Sequence, residues 1–185
     1  EVYVIFKIKW LFSALILSFF LKKISFPSFF AFPVFFKGLR RVSIGKHVRI
    51  FPGCRFETHG TGEIIIEDDV SIAQNVHITS GTKLVIGQGT LITANSYITS
   101  IDHDYETIGV PIPRQHLDYK ETRIGKNCFI GMGVAIQAGT ILGEQCVVGA
   151  NSVVRGVYPD YCVIAGVPAK IIKVYDKNSG EWIRV

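Results

Sequence analysis

At 185 residues, 48% of them hydrophobic and 19% charged, the chain is long enough for one domain with a substantial interior, and disorder is excluded for its body. The formal charge of +5 is modest but unevenly placed, because nine of the 20 Lys and Arg fall within the first 49 residues, where Glu1 is the only acid. No nucleic-acid partner is expected.

Within this basic stretch lies "WLFSALILSFFL", residues 10–21, bracketed by Lys7 and Lys9 before it and by Lys22 and Lys23 after it. A run of twelve is too short to span a bilayer as a helix, which needs about 20 residues. Downstream of the lysines comes "FPSFFAFPVFF" rather than a small-residue cleavage site, which argues against a secretory signal. Two readings stand for the segment 1–41. It lies in an anionic membrane surface with its lysines among the head groups, or it packs as an apolar arm on its own domain or on another subunit.

From residue 42 the pattern changes to an aliphatic at every sixth position: Ile44, Ile50 and Phe56; Ile66, Ile72, Ile78 and Leu84; Ile86, Ile92 and Ile98; then Ile124, Ile130, Ile136, Leu142, Val148 and Val154. In an α-helix a six-residue step rotates by about 240°, so these side chains would scatter around the cylinder and a helix is excluded. In an extended chain they share a face, but Gly125, Gly131, Gly143 and Gly149 interrupt any long strand. Short strands joined by bends, wound so that each rung pairs with the next, satisfy both facts, and this is a parallel β-solenoid. A second inward slot four residues on holds Val70, Val76, Thr82, Thr90, Ser96, Val134, Thr140 and Ser152. Cys54, Cys128 and Cys146 share a slot otherwise filled by Val, Thr and Ser, which makes them small buried fillers; with Cys162 they show no zinc-ligand spacing, and a reducing cytoplasm fits.

The frame slips by two residues between Leu84 and Ile86, and again between Ile98 and Ile124. Residues 104–122, "DYETIGVPIPRQHLDYKET", lack the unit and read as a loop thrown out from the coil, of the kind that carries function or an interface. The apolar N-terminus is expected to close one end of the interior and the segment from Pro159 onward the other.

Over residues 42–174 the sequence resembles the hexapeptide-repeat acyltransferases, through "IGKNCFIGMGVAI", "LGEQCVVGANSVV" and "AGVPAKII". The resemblance implies a left-handed parallel β-helix of three units per turn, a handedness that the period alone does not predict. Residues 175–185 remain as a C-terminal tail. Within the family the chain is most similar to galactoside and maltose acetyltransferases and to the sugar O-acetyltransferases of lipopolysaccharide and capsule assembly. These imply an acetyl-CoA donor, a carbohydrate acceptor and a homotrimer with active sites between subunits.

The family's catalytic histidine falls at His103 in "IGQGTLITANSYITSIDHD". An alcohol needs a base to attack a thioester, and imidazole titrates in the right range. Asp102 or Asp104 is expected to hold the other ring nitrogen, and the residues do not choose between them. The resemblance further implies that the Met132 amide faces the oxyanion and that Ala150 lines the coenzyme A groove. It places Arg155 and Gly156 at the family's Thr-Lys pair, and Lys170 and Lys173 at its two phosphate-binding arginines. Asn75 and Asn95 at bends, with Phe129 as an aromatic wall, are candidates for sugar contact, although asparagine is also the usual bend residue. The asparagine and aspartate that hold sugar in the galactoside enzymes are Ala73 and Gly81 here, a departure that argues against the same small substrate.

These features predict direct acetyl transfer to a sugar hydroxyl of a cell-surface polysaccharide precursor, in the cytoplasm and peripherally at the inner face of the membrane. N-acetylation of an amino-sugar nucleotide and a non-catalytic scaffold are the alternatives. The five histidines, at 47, 59, 77, 103 and 116, lack the close ligand spacing of the family's zinc hydratases, and no metal is expected.

Overall fold

The six-residue spacing folds into three narrow parallel sheets wound into one coil. The computed structural model describes residues 2–185. Sheet A stacks Lys23–Ile24, Val42–Ile44, Glu63–Ile66, Lys83–Ile86, Thr122–Ile124, Ile141–Leu142 and Val157–Tyr158. Sheet B runs from Phe29–Phe30 through Arg49–Ile50, Ser71–Ile72, Leu91–Ile92, Phe129–Ile130 and Val147–Val148 to Cys162–Gly166. Sheet C stacks Phe35–Lys37, Arg55–Thr58, His77–Ser80, Tyr97–Thr99, Ala135–Ile136 and Val153–Val154. The chain visits A, B and C in rotation for about seven turns, forming the left-handed parallel β-helix expected. The first turn uses Lys23–Ile24, Phe29–Phe30 and Phe35–Lys37, so the pairing moves the start of the coil from residue 42 to Lys23.

Each strand turns aliphatics inward, and they stack in register. Ile44, Ile66, Ile86 and Ile124 line sheet A, Ile50, Ile72, Ile92, Ile130 and Val148 line sheet B, and Phe56, Ile78, Ile98, Ile136 and Val154 line sheet C. All are fully buried, each contributing roughly 1.5–3 kcal/mol relative to an exposed position. The slip between Leu84 and Ile86 has a simple cause: Lys83–Ile86 is a four-residue strand, so its period of two sends both inward. The corner before it is correspondingly wide. Thr82 is only half-buried there, and Ser80 and Ser100 take the inward places, their hydroxyl oxygens 3.1 Å apart.

Both ends of the apolar interior are closed. The helix Val2–Leu17 lies over the first turn, burying Ala14 and Leu17 in the same core as Ile50 and Phe56, with the Trp10 ring 4.9 Å from that of Phe51. Its other face is open, with Ile8, Phe12, Leu15 and Ile16 exposed. The apolar arm thus packs on its own domain along one side, and no described helix is long and apolar enough to cross a membrane. At the far end Ala169–Asp176 folds back antiparallel on Cys162–Gly166, and Glu181–Arg184 pairs with it in turn. The expected tail 175–185 is therefore mostly strand, and Ile171 and Val174 pack against the core.

Candidate active site

After Tyr97–Thr99 the chain leaves the coil. Ile101–His103 pairs antiparallel with Leu117–Tyr119, opposing Ile101 to Tyr119, Asp102 to Asp118 and His103 to Leu117. The inserted loop is thus a hairpin at its base, and its tip is tied by the Gln115 side chain, whose Nε2 donates to the carbonyls of Thr107 at 3.0 Å and Val110 at 2.8 Å. Four residues after Ile98, Asp102 is expected in the second inward slot, and leaving the coil is why it does not sit there. It is half-exposed and pairs with the Arg155 guanidinium, while its Oδ1 accepts from the His103 amide at 3.1 Å.

The hairpin folds beside sheet C and closes a recess of about 280 Å³. His103 is exposed in it, with Ile101 and Leu117 from the hairpin and His59, His77, Thr79 and Tyr97 from the coil. Neither expected aspartate touches the His103 ring. Asp102 is held by Arg155, and Asp104 Oδ1 accepts from the Glu106 amide at 3.0 Å, a local turn contact.

The carboxylate that meets an imidazole of this recess was not legible as a site residue. Glu57 is nearly buried and receives bonds from the Arg55 Nε and from His77 Nε2 at 3.0 Å, with His59 Nε2 3.5 Å from its other oxygen. Burial pushes the Glu57 carboxyl up, but the hydrogen bonds from Arg55 and His77 and the charge of Arg55, joined by that of His77 whenever its ring is protonated, outweigh it and hold the group below the usual carboxylate range. Tyr97 packs on His77, ring centroids 5.1 Å apart, and Lys37 Nζ lies 3.4 Å from His59 Nδ1. The signal was turn length: Arg55, His77 and Tyr97 are register partners one turn apart, so an outward residue in one turn names its neighbours in the next. Although three histidines share this recess, no three His, Cys, Asp or Glu among the described residues are grouped closely enough to hold a metal ion.

The expected donor-side residues lie elsewhere on the coil. Met132 and Ala150 stack at the bend entering sheet C, the Asn151 amide donating to the Met132 carbonyl at 2.8 Å. Gly131 is required beneath them, because a Cβ there would lie 2.6 Å from the Ala150 nitrogen. The Met132 amide has no acceptor among the described residues, and Met132 and Ala150 are exposed, so the corner suits a ligand carbonyl and a narrow arm. Lys170 and Lys173 lie on Ala169–Asp176, and Arg155 with Gly156 lies at the bend leaving sheet C. His103 follows the exit from sheet C whereas Met132 and Ala150 precede its entry, so within one chain they occupy opposite edges of that sheet.

Asn75 and Asn95 stand at the same entry bend, where both take positive φ (58° and 61°), a conformation asparagine tolerates. Their side chains bond to each other, Asn75 Nδ2 to Asn95 Oδ1 at 3.2 Å, and neither lines the recess; Phe129 stands on the outer face of sheet B. Gly81 explains one departure from the galactoside pattern. A Cβ there would meet the Tyr119 ring at 2.2 Å, so the hairpin occupies the space an aspartate would need.

Residues 121–156 match the family described as bacterial transferase hexapeptide (six repeats). The chain is 35% identical over 158 residues to a putative lipopolysaccharide biosynthesis O-acetyl transferase, WbbJ, of Escherichia coli (strain K12), covering 82% of this chain and 81% of the relative. The chain belongs to the hexapeptide-repeat transferase family. This hexapeptide-repeat protein is also 32% identical, over 77% of each chain, to a dTDP-4-amino-4,6-dideoxy-D-glucose acyltransferase of Escherichia coli. Its fold matches that of AntD, an N-acyltransferase from Bacillus cereus solved with dTDP and 3-hydroxybutyryl-CoA, with a TM-score of 0.75 at 17% identity over 90% of each chain. Its relatives are acyltransferases of sugar-related substrates on both the O- and N-acyl sides.

Proposed function

We propose that the protein is an acetyl-CoA-dependent O-acetyltransferase acting on a sugar hydroxyl of a cell-surface polysaccharide precursor. The observation that carries this reading is His103, an exposed imidazole held by a hairpin at the mouth of a polar and aromatic recess on the outer face of the coil. In this reading His103 takes the proton of the acceptor hydroxyl as its oxygen attacks the acetyl carbonyl, and the Met132 amide donates to the carbonyl oxygen as charge develops there. Ala150 lines the pantetheine path, and Lys170 and Lys173 receive phosphates as point charges. Arg155 steadies the hairpin through Asp102 rather than reaching a phosphate. Transfer is direct, since burial removes all four thiols from the recess.

The separation of His103 from Met132 across sheet C supports a homotrimer, in which one chain's histidine meets a neighbour's donor groove. Light scattering should return three times the 20.6 kDa chain mass. Peripheral membrane contact is supported by the open apolar face of Val2–Leu17 and by the absence of any Asp or Glu from residue 2 to residue 56; sedimentation with anionic but not neutral vesicles tests it. Mass spectrometry of products from a panel of hydroxyl and amine acceptors tests the reaction. O-acetyl product supports the proposal. Exclusive amide product instead supports the second reading, N-acylation of an amino-sugar nucleotide, which the dTDP-amino-sugar relative favours.

A further inference from the structure

We infer that His77 is an acceptor-binding residue whose Nδ1 receives a hydrogen bond from a hydroxyl of the carbohydrate in the His103 recess. The inference deepens the proposed function and rests on it for the identity of the recess as the acceptor site. His77 and His103 face this one space in different states of restraint. The His103 ring has no hydrogen-bond partner among the described residues, as suits a group that must exchange a proton and turn with its substrate. The His77 ring is fixed. Its Nε2 lies 3.0 Å from Glu57 Oε1, and Tyr97 packs against it.

That restraint decides what His77 can do. Glu57 is an ionised acceptor, held so by Arg55, and an ionised carboxylate accepts only. His77 Nε2 therefore carries the proton, and in the neutral ring Nδ1 is left with a lone pair. No group among the described residues donates to Nδ1, and the ring lines the recess. His59 belongs to the same array but is occupied at both nitrogens, by Glu57 and by Lys37. In the neutral ring the fixed Nδ1, beside Tyr97 and Thr79, is a site for a hydrogen-bond donor on an aromatic wall. A sugar ring, with hydroxyls at its rim and C–H groups on its face, has that chemistry. The acceptor class is thus a saccharide bearing a second hydroxyl near the one that is acetylated, and His77 reads that second group.

Two substitutions of His77 separate contact with the ligand from support of the protein. Asparagine places its carbonyl oxygen where Nδ1 was, and glutamine places its amide nitrogen where Nε2 was. His77→Asn therefore keeps the ligand contact and gives up Glu57, whereas His77→Gln keeps Glu57 and gives up the ligand contact. On the full chain, calorimetric titration with free hexoses, nucleotide-linked sugars and polysaccharide fragments is run alongside acceptor KM, acetyl-CoA KM and melting temperature. His77→Gln should weaken acceptor binding and raise acceptor KM about 5- to 20-fold with acetyl-CoA KM unchanged, and His77→Asn should weaken them less. With the single deoxy-sugar that lacks the contacted hydroxyl, the His77→Gln penalty should vanish.

The opposite ranking, or a lowered melting temperature in both variants with acceptor binding intact, overturns the inference and leaves His77 as support for Glu57. Failure of the wild type to bind any saccharide overturns it too. Saccharide binding without acetyl transfer, with the expected ranking, upholds it while the proposed reaction fails.

Discussion

Sheets B and C are made from the same six-residue unit and bury the same kinds of side chain, yet their outer faces differ. Outward from sheet B stand Leu91, Phe129, Val147 and Val163 in one column; outward from sheet C stand Arg55, His77 and Tyr97, beside Glu57, Thr79 and Thr99. The inward half of each strand is constrained by stacking with its neighbours above and below. The outward half stacks in columns as well, but it is not enclosed on its other side by the core. Chemistry therefore accumulates on one outer face without cost to the core, and the hairpin from Ile101 covers that face alone.

The sharpest break in this comparison is His103→Ala, which should lower turnover by about 10²- to 10⁴-fold while leaving the melting temperature close to wild type, read by steady-state kinetics and thermal unfolding. An inward change does the reverse. Phe56 is fully buried with its ring 5.3 Å from Phe30, edge to face, so Phe56→Ala should cost about 3–5 kcal/mol in denaturant unfolding, whereas Phe129→Ala on the outer face of sheet B should fall within about 0.5 kcal/mol.

Sheet C should also show its own acid limb. Because the folded Glu57 carboxyl lies below its ordinary value, its contribution is complete at neutral pH and is lost as pH falls through the ordinary glutamate value of about 4.3 toward the folded one. Glu57→Gln should flatten that part of the stability profile measured by urea titration from pH 6 to pH 3; an unchanged slope would show that Arg55 and His77 do not favour the charged form. The smallest effect concerns the inward thiols. Burial pushes Cys54 up to about 11, and although hydrogen bonding to Cys128 pulls Cys146 down, all four thiols are buried, so a thiol reagent at pH 7 should label none in the native protein and four after unfolding.

How much was legible depends on the range of each interaction. The inward column, the small second slot, the excursion after Ile98 and the closing of both ends could all be read from the sequence, because they depend on alternation over a few residues. Asp102 shows where this fails. Its slot number made it inward, but the chain had already left the coil, and its partner Arg155 is 53 residues away. Glu57 and His77 were missed for a related reason. They meet only because one turn brings them together, and the turn length varies, with Ser43 stacking on Ile65 but Arg123 on Ile141.

By itself the sequence determined the period, the identity of the buried side chains and the imidazole of His103 at the start of the excursion, since an alternating extended chain has only two faces and apolar residues mark one of them. The tertiary structure alone decided where the coil begins, that Asp102 belongs to Arg155, that Tyr119 fills the space over Gly81, and that Glu57 holds His77. Those contacts lie between turns. Corner width sets their register, and no local alternation encodes it.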